Sequence, residues 1–303
     1  MDKSTKWFII IISGLALFGF FSFLFLYTFL TGITADERDE VFGSGDKIAV
    51  IELNGVIVNS KEIVRQFKKY REDRSIRGIL FRVESPGGGV VASQEMFEEV
   101  KKSRDRKPVV VSMGSLAASG GYYVSCPANR IVANPGTLTG SIGVISQFLR
   151  YDSLLGKIGV EVNTIKSGKF KDAGNPFRAM DDIDKKYFQT LMDDVHRQFI
   201  SAVESERKLT HSSVLKLADG RVFTGTQALT LGLVDTIGTY EDAVMITANL
   251  AGIRGEPSIV KERKRGLSIF DQLFGRSRIA GLLGLQDQLL DQTILQYRMI
   301  ESY

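Results

Sequence analysis

The chain has 303 residues, with 39 Lys and Arg against 35 Asp and Glu, for a net charge of only +4. That balance gives no electrostatic footprint for a nucleic-acid partner, and 44% hydrophobic with 24% charged residues is a folded composition, neither disordered nor disulfide-dense. A single cysteine, Cys126, excludes an intrachain disulfide, and two histidines, His196 and His211, exclude a histidine-rich metal site, so neither metal nor cofactor is expected.

The first element is apolar. Residues 1–6 carry Lys3 and Lys6, and an uncharged run follows from Trp7 to Leu30 that holds seven of the 19 phenylalanines. As a helix rising about 1.5 Å per residue it measures about 36 Å, enough for a hydrocarbon core of about 30 Å. Ile33, Thr34 and Ala35 make a poor cleavage site, so an uncleaved anchor over 7–30 is expected rather than a signal peptide. Asp36, Glu37, Asp39 and Glu40 follow the span, and the positive-inside rule then leaves the N-terminus in the cytoplasm. The expected location is a single-pass protein of the cell membrane with its remaining residues extracytoplasmic.

Residues 31–46 read as a linker ending in the Gly/Ser stretch Gly43 to Asp46, and the folded domain is expected over 47–256. Branched runs at Lys47 to Val58, Gly78 to Val83, Val109 to Met113, Arg130 to Ala133 and Val160 to Ile165 read as strands. Between them, Glu62 to Tyr70 and Ser93 to Lys102 have helical spacing. This alternation predicts a mostly parallel α/β sheet. Asp181 to Lys208 reads as an outer helix with Tyr187, Leu191, Val195, Phe199 and Val203 on one stripe. Ala218 to Gly238 reads as a short strand or turn, a helix and a turn, and Tyr240 to Ala251 as another helix. Residues 257–303 form a basic amphipathic tail, with six basic and two acidic residues between Lys261 and Arg278. Its simplest role is a helix docked on its own domain or on a neighbouring subunit.

Two glycine-rich turns carry the chemistry. Ser85 to Gly89 (SPGGG) follows a strand and precedes a helix, so its glycines can aim N–H groups at a substrate oxygen. Met113 to Tyr123 (MGSLAASGGYY) ends another strand, and places Ser119 before Gly120 and Gly121 at an expected helix start. Alone, the first reads as readily as a structural turn, and the second more readily as capping and packing than as a nucleophile. Together they can supply a nucleophile and both donors of an oxyanion hole. His196 lies within the long helix and His211 in the turn after it, so a histidine base is not expected. A lysine base must be neutral, which requires its reference pKa of about 10.4 to fall to about 7–8 by desolvation, a cost of about 4 kcal/mol. Lys166, Lys169 and Lys171 in KSGKFKDAG are the candidates, and spacing does not choose among them.

SPGGG, MGSLAASGGYY, TGSIGV from Thr139 to Val144, SGKFKD and GRVFTGTQALTLGLVD occur in one order. With these motifs the sequence resembles the bacterial signal peptide peptidase A (protease IV) family over about Lys47 to Gly252, in its short single-domain form. The resemblance implies a Ser/Lys peptidase in which Ser119 is the nucleophile, Lys171 the general base, and Ser141 the serine that orients the lysine amine. It implies oxyanion donors at Gly87 or Gly88 and at Gly120. It further implies the Clp protease/crotonase fold of repeated ββα units, homo-oligomeric rings in which the lysine comes either from the same chain or from a neighbour, and spent signal peptides as substrates. Two residues depart from the family pattern: Glu84 stands where Asn or Asp is expected, and Phe170 where Tyr is expected.

Overall fold

The computed structural model describes residues 2–33, 39–262 and 296–298, the side chains of residues 3–6, 9–10, 28–33 and 296–298 excepted. Lys3–Ile33 forms one helix, α1, and Trp7, Phe8 and the large apolar side chains from Ile11 to Tyr27 are exposed along it. Among the described residues no helix is long and apolar enough to cross a membrane. The stretch whose side chains are described without a break, residues 11–27, rises about 26 Å.

The following elements are β1 (Asp39–Phe42), β2 (Lys47–Asn54), α2 (Lys61–Glu72), β3 (Ile76–Ser85), β4 (Gly87–Gly89), α3 (Val90–Arg104), β5 (Val109–Ala118) and α4 (Gly120–Ser125). Then come β6 (Arg130–Ala133), β7 (Leu138–Gly140), α5 (Asp152–Lys157), α6 (Asp182–Arg207), α7 (His211–Leu217), β8 (Val222–Thr224) and α8 (Gly225–Thr230). β9 (Thr236–Ile237), α9 (Tyr240–Leu250), β10 (Ser258–Glu262) and β11 (Gln296–Arg298) complete the described chain.

The main sheet runs β1-β10-β2-β3-β5-β6-β9, and its pairs from β10 to β9 are all parallel. Its strands are covered on both sides, which explains their unbroken apolar sequence. In β2, Ala49, Ile51 and Leu53 face a core shared with Phe67 of α2, Met96 of α3, Tyr122 of α4 and Phe199 of α6. The alternate residues Ile48 and Val50 face Ala243, Val244 and Ala248 of α9. The expected parallel α/β architecture is therefore the one observed.

Three expectations shift. Val160 to Ile165 forms no strand: Val160, Val162 and Ile165 are exposed, and among the described residues no strand pairs with their backbone. Branched residues favour the extended conformation, but a ladder partner is what makes it a strand. β10 lies inside the expected tail yet pairs with β2, register Ser258↔Lys47 to Lys261↔Val50, and β1 lies inside the expected linker yet joins the sheet edge beside β10. Finally, α6 is an outer helix only in part. Phe199, Ile200 and Val203 are buried, and Phe199 packs edge-on against Tyr123 at 5.0 Å, whereas Tyr187 is exposed. The basic amphipathic residues 263–278 lie outside the described residues.

Candidate active site

β3 and β5 are adjacent parallel strands, and both glycine-rich turns leave the same end of the sheet. Their pairing is interrupted between Val83 and Ser85, where residues 114–116 of β5 bulge. Glu84 fills this irregularity, accepting the N–H groups of Ser115 at 2.8 Å and Leu116 at 3.0 Å. The glutamate that departs from the family pattern thus fastens the two strands together below the turns.

Beyond Pro86, β4 runs beside Ile57. The Ile57 N–H donates to Gly87 C=O and the Gly89 N–H to Ile57 C=O, both at 2.8 Å. The Gly87 N–H donates to Ser85 Oγ at 3.1 Å. Gly88 has φ +159°, and a Cβ there would sit 2.1 Å from the Ile57 oxygen, so no other residue fits. Because backbone groups alternate in direction along a strand, Gly88 turns its own N–H away from Ile57. Val56, Val58 and Val91 are exposed around this strand, an apolar rim that the periodicity of the sequence does not reveal.

Ser119 stands between β5 and α4 with φ 54° and ψ −116°, a left-handed backbone that L-residues rarely adopt outside functional turns. It is held from both sides. Its N–H donates to Gly140 C=O, and its C=O accepts from Tyr123 N–H, each at 2.8 Å. A Cβ on Gly121 would meet the Ser85 carbonyl oxygen at 2.7 Å, so glycine at that position lets the start of α4 approach the SPGGG turn. The N–H of Gly120, in the first turn of α4, has no partner within the helix.

β7 pairs with β5 at Leu116↔Leu138, Ala117↔Thr139 and Ala118↔Gly140. Ser119 and Ser141 each follow the last pair, on neighbouring strands about 5 Å apart. Ser141 also has positive φ, 51°, and its N–H donates to Arg221 C=O at 2.9 Å. The GRVFTG segment therefore braces the second serine, a role that its sequence alone did not disclose. Cys126, on the far side of α4, is fully buried, and burial pushes its thiol up to about 12.

The lysine loop is built differently. Lys166 pairs with Asp172, which also receives Arg178 Nε at 2.9 Å. The hydrogen bonds from Arg178 and then Lys166 hold the Asp172 carboxyl down to about 2. Arg178 bridges onward to Asp184 at the start of α6. Phe170 stacks on Tyr187 at 4.8 Å, and Phe148 lies 4.4 Å from Phe188, so this loop rests on the N-terminal half of α6. Lys169 reaches over the Phe170 ring. Of the three candidates, only Lys171 has a side chain with no ion pair, hydrogen bond or ring contact among the described residues, and it lies exposed. No hydrogen bond joins it to Ser119 within the chain. His211 pairs with Glu204 on the surface, and neither histidine bonds to Ser119. A charged cleft of about 730 Å³ between α2 and α3, lined by Lys61, Arg65, Lys68, Glu95 and Glu98 among others, includes none of these serines and lysines.

A strained serine at a strand-to-helix turn, flanked by glycine backbone, has the geometry that suits a nucleophilic serine. The family model for peptidase family S49 matches residues 101–254, and the chain belongs to that family. It is 38% identical over 249 residues to MJ0651 of Methanocaldococcus jannaschii, an inferred protease, covering 76% of this chain and 79% of the relative. It is 37% identical over 240 residues to a chain of Enterococcus faecium named by inference as signal peptide peptidase SppA, covering 72% and 70%. It is 38% identical over 221 residues to Protease 4 of Salmonella typhi, covering 70% of this chain and 36% of that longer one. The chain is thus a peptidase, as its motifs led us to expect.

Proposed function

We propose that the protein is a membrane-anchored serine endopeptidase that degrades cleaved signal peptides and other apolar peptides at the extracytoplasmic face. The observation that carries this reading is the left-handed Ser119, set between the Gly140 carbonyl and the start of α4 beside β4. Ser119 Oγ attacks the peptide carbonyl as neutral Lys171 takes its proton, and Ser141 orients the amine. The oxyanion rests on the N–H of Gly120 and that of Gly88, since the Gly87 N–H is already given to Ser85. Water then hydrolyses the acyl-enzyme, and no metal or cofactor enters.

A lysine acts as base only when neutral, and desolvation is what makes it so. Exposed Lys171 therefore needs a covering surface, which supports a homo-oligomeric ring in which one protomer's loop meets its neighbour's Ser119. Exposed Val160, Val162 and Ile165 on the same loop suit that contact. The kinship to the ββα repeats of the Clp protease and crotonase group belongs to the same reading. Residues 7–30, uncharged throughout, serve as the anchor with the N-terminus cytoplasmic, bringing the site to membrane-bound substrates. The apolar rim of Val56, Val58 and Val91 fits such peptides. The test is cleavage of an apolar signal peptide by the full chain in detergent micelles. Cleavage by wild type but not by Ser119→Ala or Lys171→Ala supports the assignment, and equal cleavage by all three removes it.

A further inference from the structure

The ladder between β3 and β5 breaks just before both turns of the candidate site. Val83 pairs with Met113 and Ser85 with Ala117, so Glu84 alone stands opposite residues 114–116 of β5. Across such a gap backbone groups lose their ladder partners. The Glu84 carboxylate replaces them: Oε2 accepts the Ser115 N–H at 2.8 Å and Oε1 the Leu116 N–H at 3.0 Å. Its main chain reaches the other way, since the Glu84 C=O accepts the Gly55 N–H at 2.8 Å.

These bonds bear on both halves of the site. Leu116 opens the pairing with β7 that closes at Ala118 and Gly140, immediately before Ser119 and Ser141. Gly55 leads to Ile57, which holds β4. Glu84 is itself followed by Ser85, whose Oγ accepts the Gly87 N–H and whose C=O faces the start of α4 at Gly121. One half-buried side chain thus joins the strand that carries the nucleophile to the turn that carries the proposed oxyanion donors.

Gly114 completes the arrangement. A Cβ there would lie 1.6 Å from Glu84 Oε2, although Gly114 has no positive φ that would by itself call for glycine. The glutamate, not the backbone, requires this glycine.

We infer that Glu84 is a positioning residue of the peptidase: its carboxylate sets the distance of the SPGGG turn from Ser119, and Gly114 provides the space that it fills. The inference rests on the peptidase reading, because that distance matters only if a peptide carbonyl must meet Ser119 Oγ and the glycine N–H groups at once. The task needs both oxygens at this reach. A Gln amide offers one acceptor and turns its NH2 toward the second N–H, and Asp is one methylene short.

The test uses the full chain in detergent micelles with a fluorogenic Ala/Leu/Val decapeptide. Misplaced donors slow the chemistry rather than binding, so Glu84→Gln should lower kcat by about tenfold with KM changed by less than about twofold. Gly114→Ala, which expels the carboxylate, should cost kcat about as much as Glu84→Ala, about 10²-fold, and the two together no more than either alone. A second readout separates positioning from a general loss of structure. Ser119 Oγ adds to the carbon of a peptide aldehyde, its proton passing to Lys171, and leaves an oxyanion on the glycine N–H groups; the matching peptide alcohol forms no such adduct. Glu84→Gln should weaken inhibition by the aldehyde by about tenfold and leave that by the alcohol unchanged. Wild-type kcat and aldehyde affinity in Glu84→Gln, equal losses for aldehyde and alcohol, or additive losses from Glu84→Ala and Gly114→Ala would overturn the inference while the peptidase reading stands. A wild-type chain that neither cleaves the decapeptide nor binds the aldehyde would overturn both.

Discussion

The surroundings of Ser119 and the loop that carries Lys171 are held by opposite means. Ser119 is 1% exposed and fixed by backbone hydrogen bonds to β7 and α4, in a sheet filled on both faces. Lys171 sits on a loop without strands, tied to α6 by Arg178, Asp172 and stacked rings at the surface. The comparison teaches what the proposed dyad has to bridge: the sheet fixes Ser119 and the glycine turns by backbone bonding, while Lys171 stands on an arm whose apolar residues are exposed.

The largest effect expected is from Ser119→Ala, which should lower kcat by at least about 10³-fold with the fold intact. Ser119→Gly should be equally inactive yet melt higher, because glycine relieves the positive φ, worth about 1 kcal/mol. An unchanged melting temperature would show that the turn is unstrained. Lys171→Arg should be as inactive as Lys171→Ala, since guanidinium does not deprotonate. Mixing Ser119→Ala with Lys171→Ala sharpens the contrast further: activity regained in mixed assemblies means that the arm serves a neighbour, and none means that it closes on its own chain.

Gly88→Ala should lower both activity and stability, the latter by about 1–3 kcal/mol, because its Cβ meets the Ile57 oxygen. Thermal melts and kcat measured together check this. Asp172→Asn should lower activity by about tenfold, since this carboxylate holds Lys166 and Arg178 in the loop that carries Lys171. The Asp172 carboxyl is held below its ordinary value, so its pairing with Arg178 is present above about pH 4 and is lost as pH falls towards about 2. Pepsin cleavage at Phe170 should accordingly rise between pH 4 and pH 2, relative to other sites. The smallest effect is at Cys126, whose buried thiol should resist alkylation at neutral pH in the native protein and react after unfolding.

Most of the sheet was legible because its strands are buried on both faces, and runs such as KIAVIEL have no other stable placement. Val160 to Ile165 carried the same branched residues and misled for the same reason: local preference cannot report whether a partner strand exists. β1 and β10 were hidden in an expected linker and tail, since a short edge strand owes its conformation to the sheet beside it. Among the site residues, the two glycine turns were visible as motifs. The bracing of Ser141 by Arg221, the anchoring of β5 by Glu84 and the Val56, Val58 and Val91 rim were not, because each depends on segments distant in sequence meeting in space.

By itself the sequence determined the parallel α/β class, the shortage of histidine and cysteine chemistry, the apolar N-terminal run and the order of motifs that marks a serine peptidase. These are properties of composition and short-range pattern, where a residue's type already states its requirement. Only the tertiary structure decided which groups are free to act. Hydrogen bonding to Ser85 occupies the Gly87 N–H, whereas Gly88 lies opposite Tyr297 of β11. Ion pairing removes Lys166, while the Phe170 ring engages Lys169 and leaves Lys171 without a partner among the described residues. Strand pairing sets β11 on β4. Each outcome is a competition among neighbours for one donor, charge or edge, and that competition is fixed only once the chain has folded.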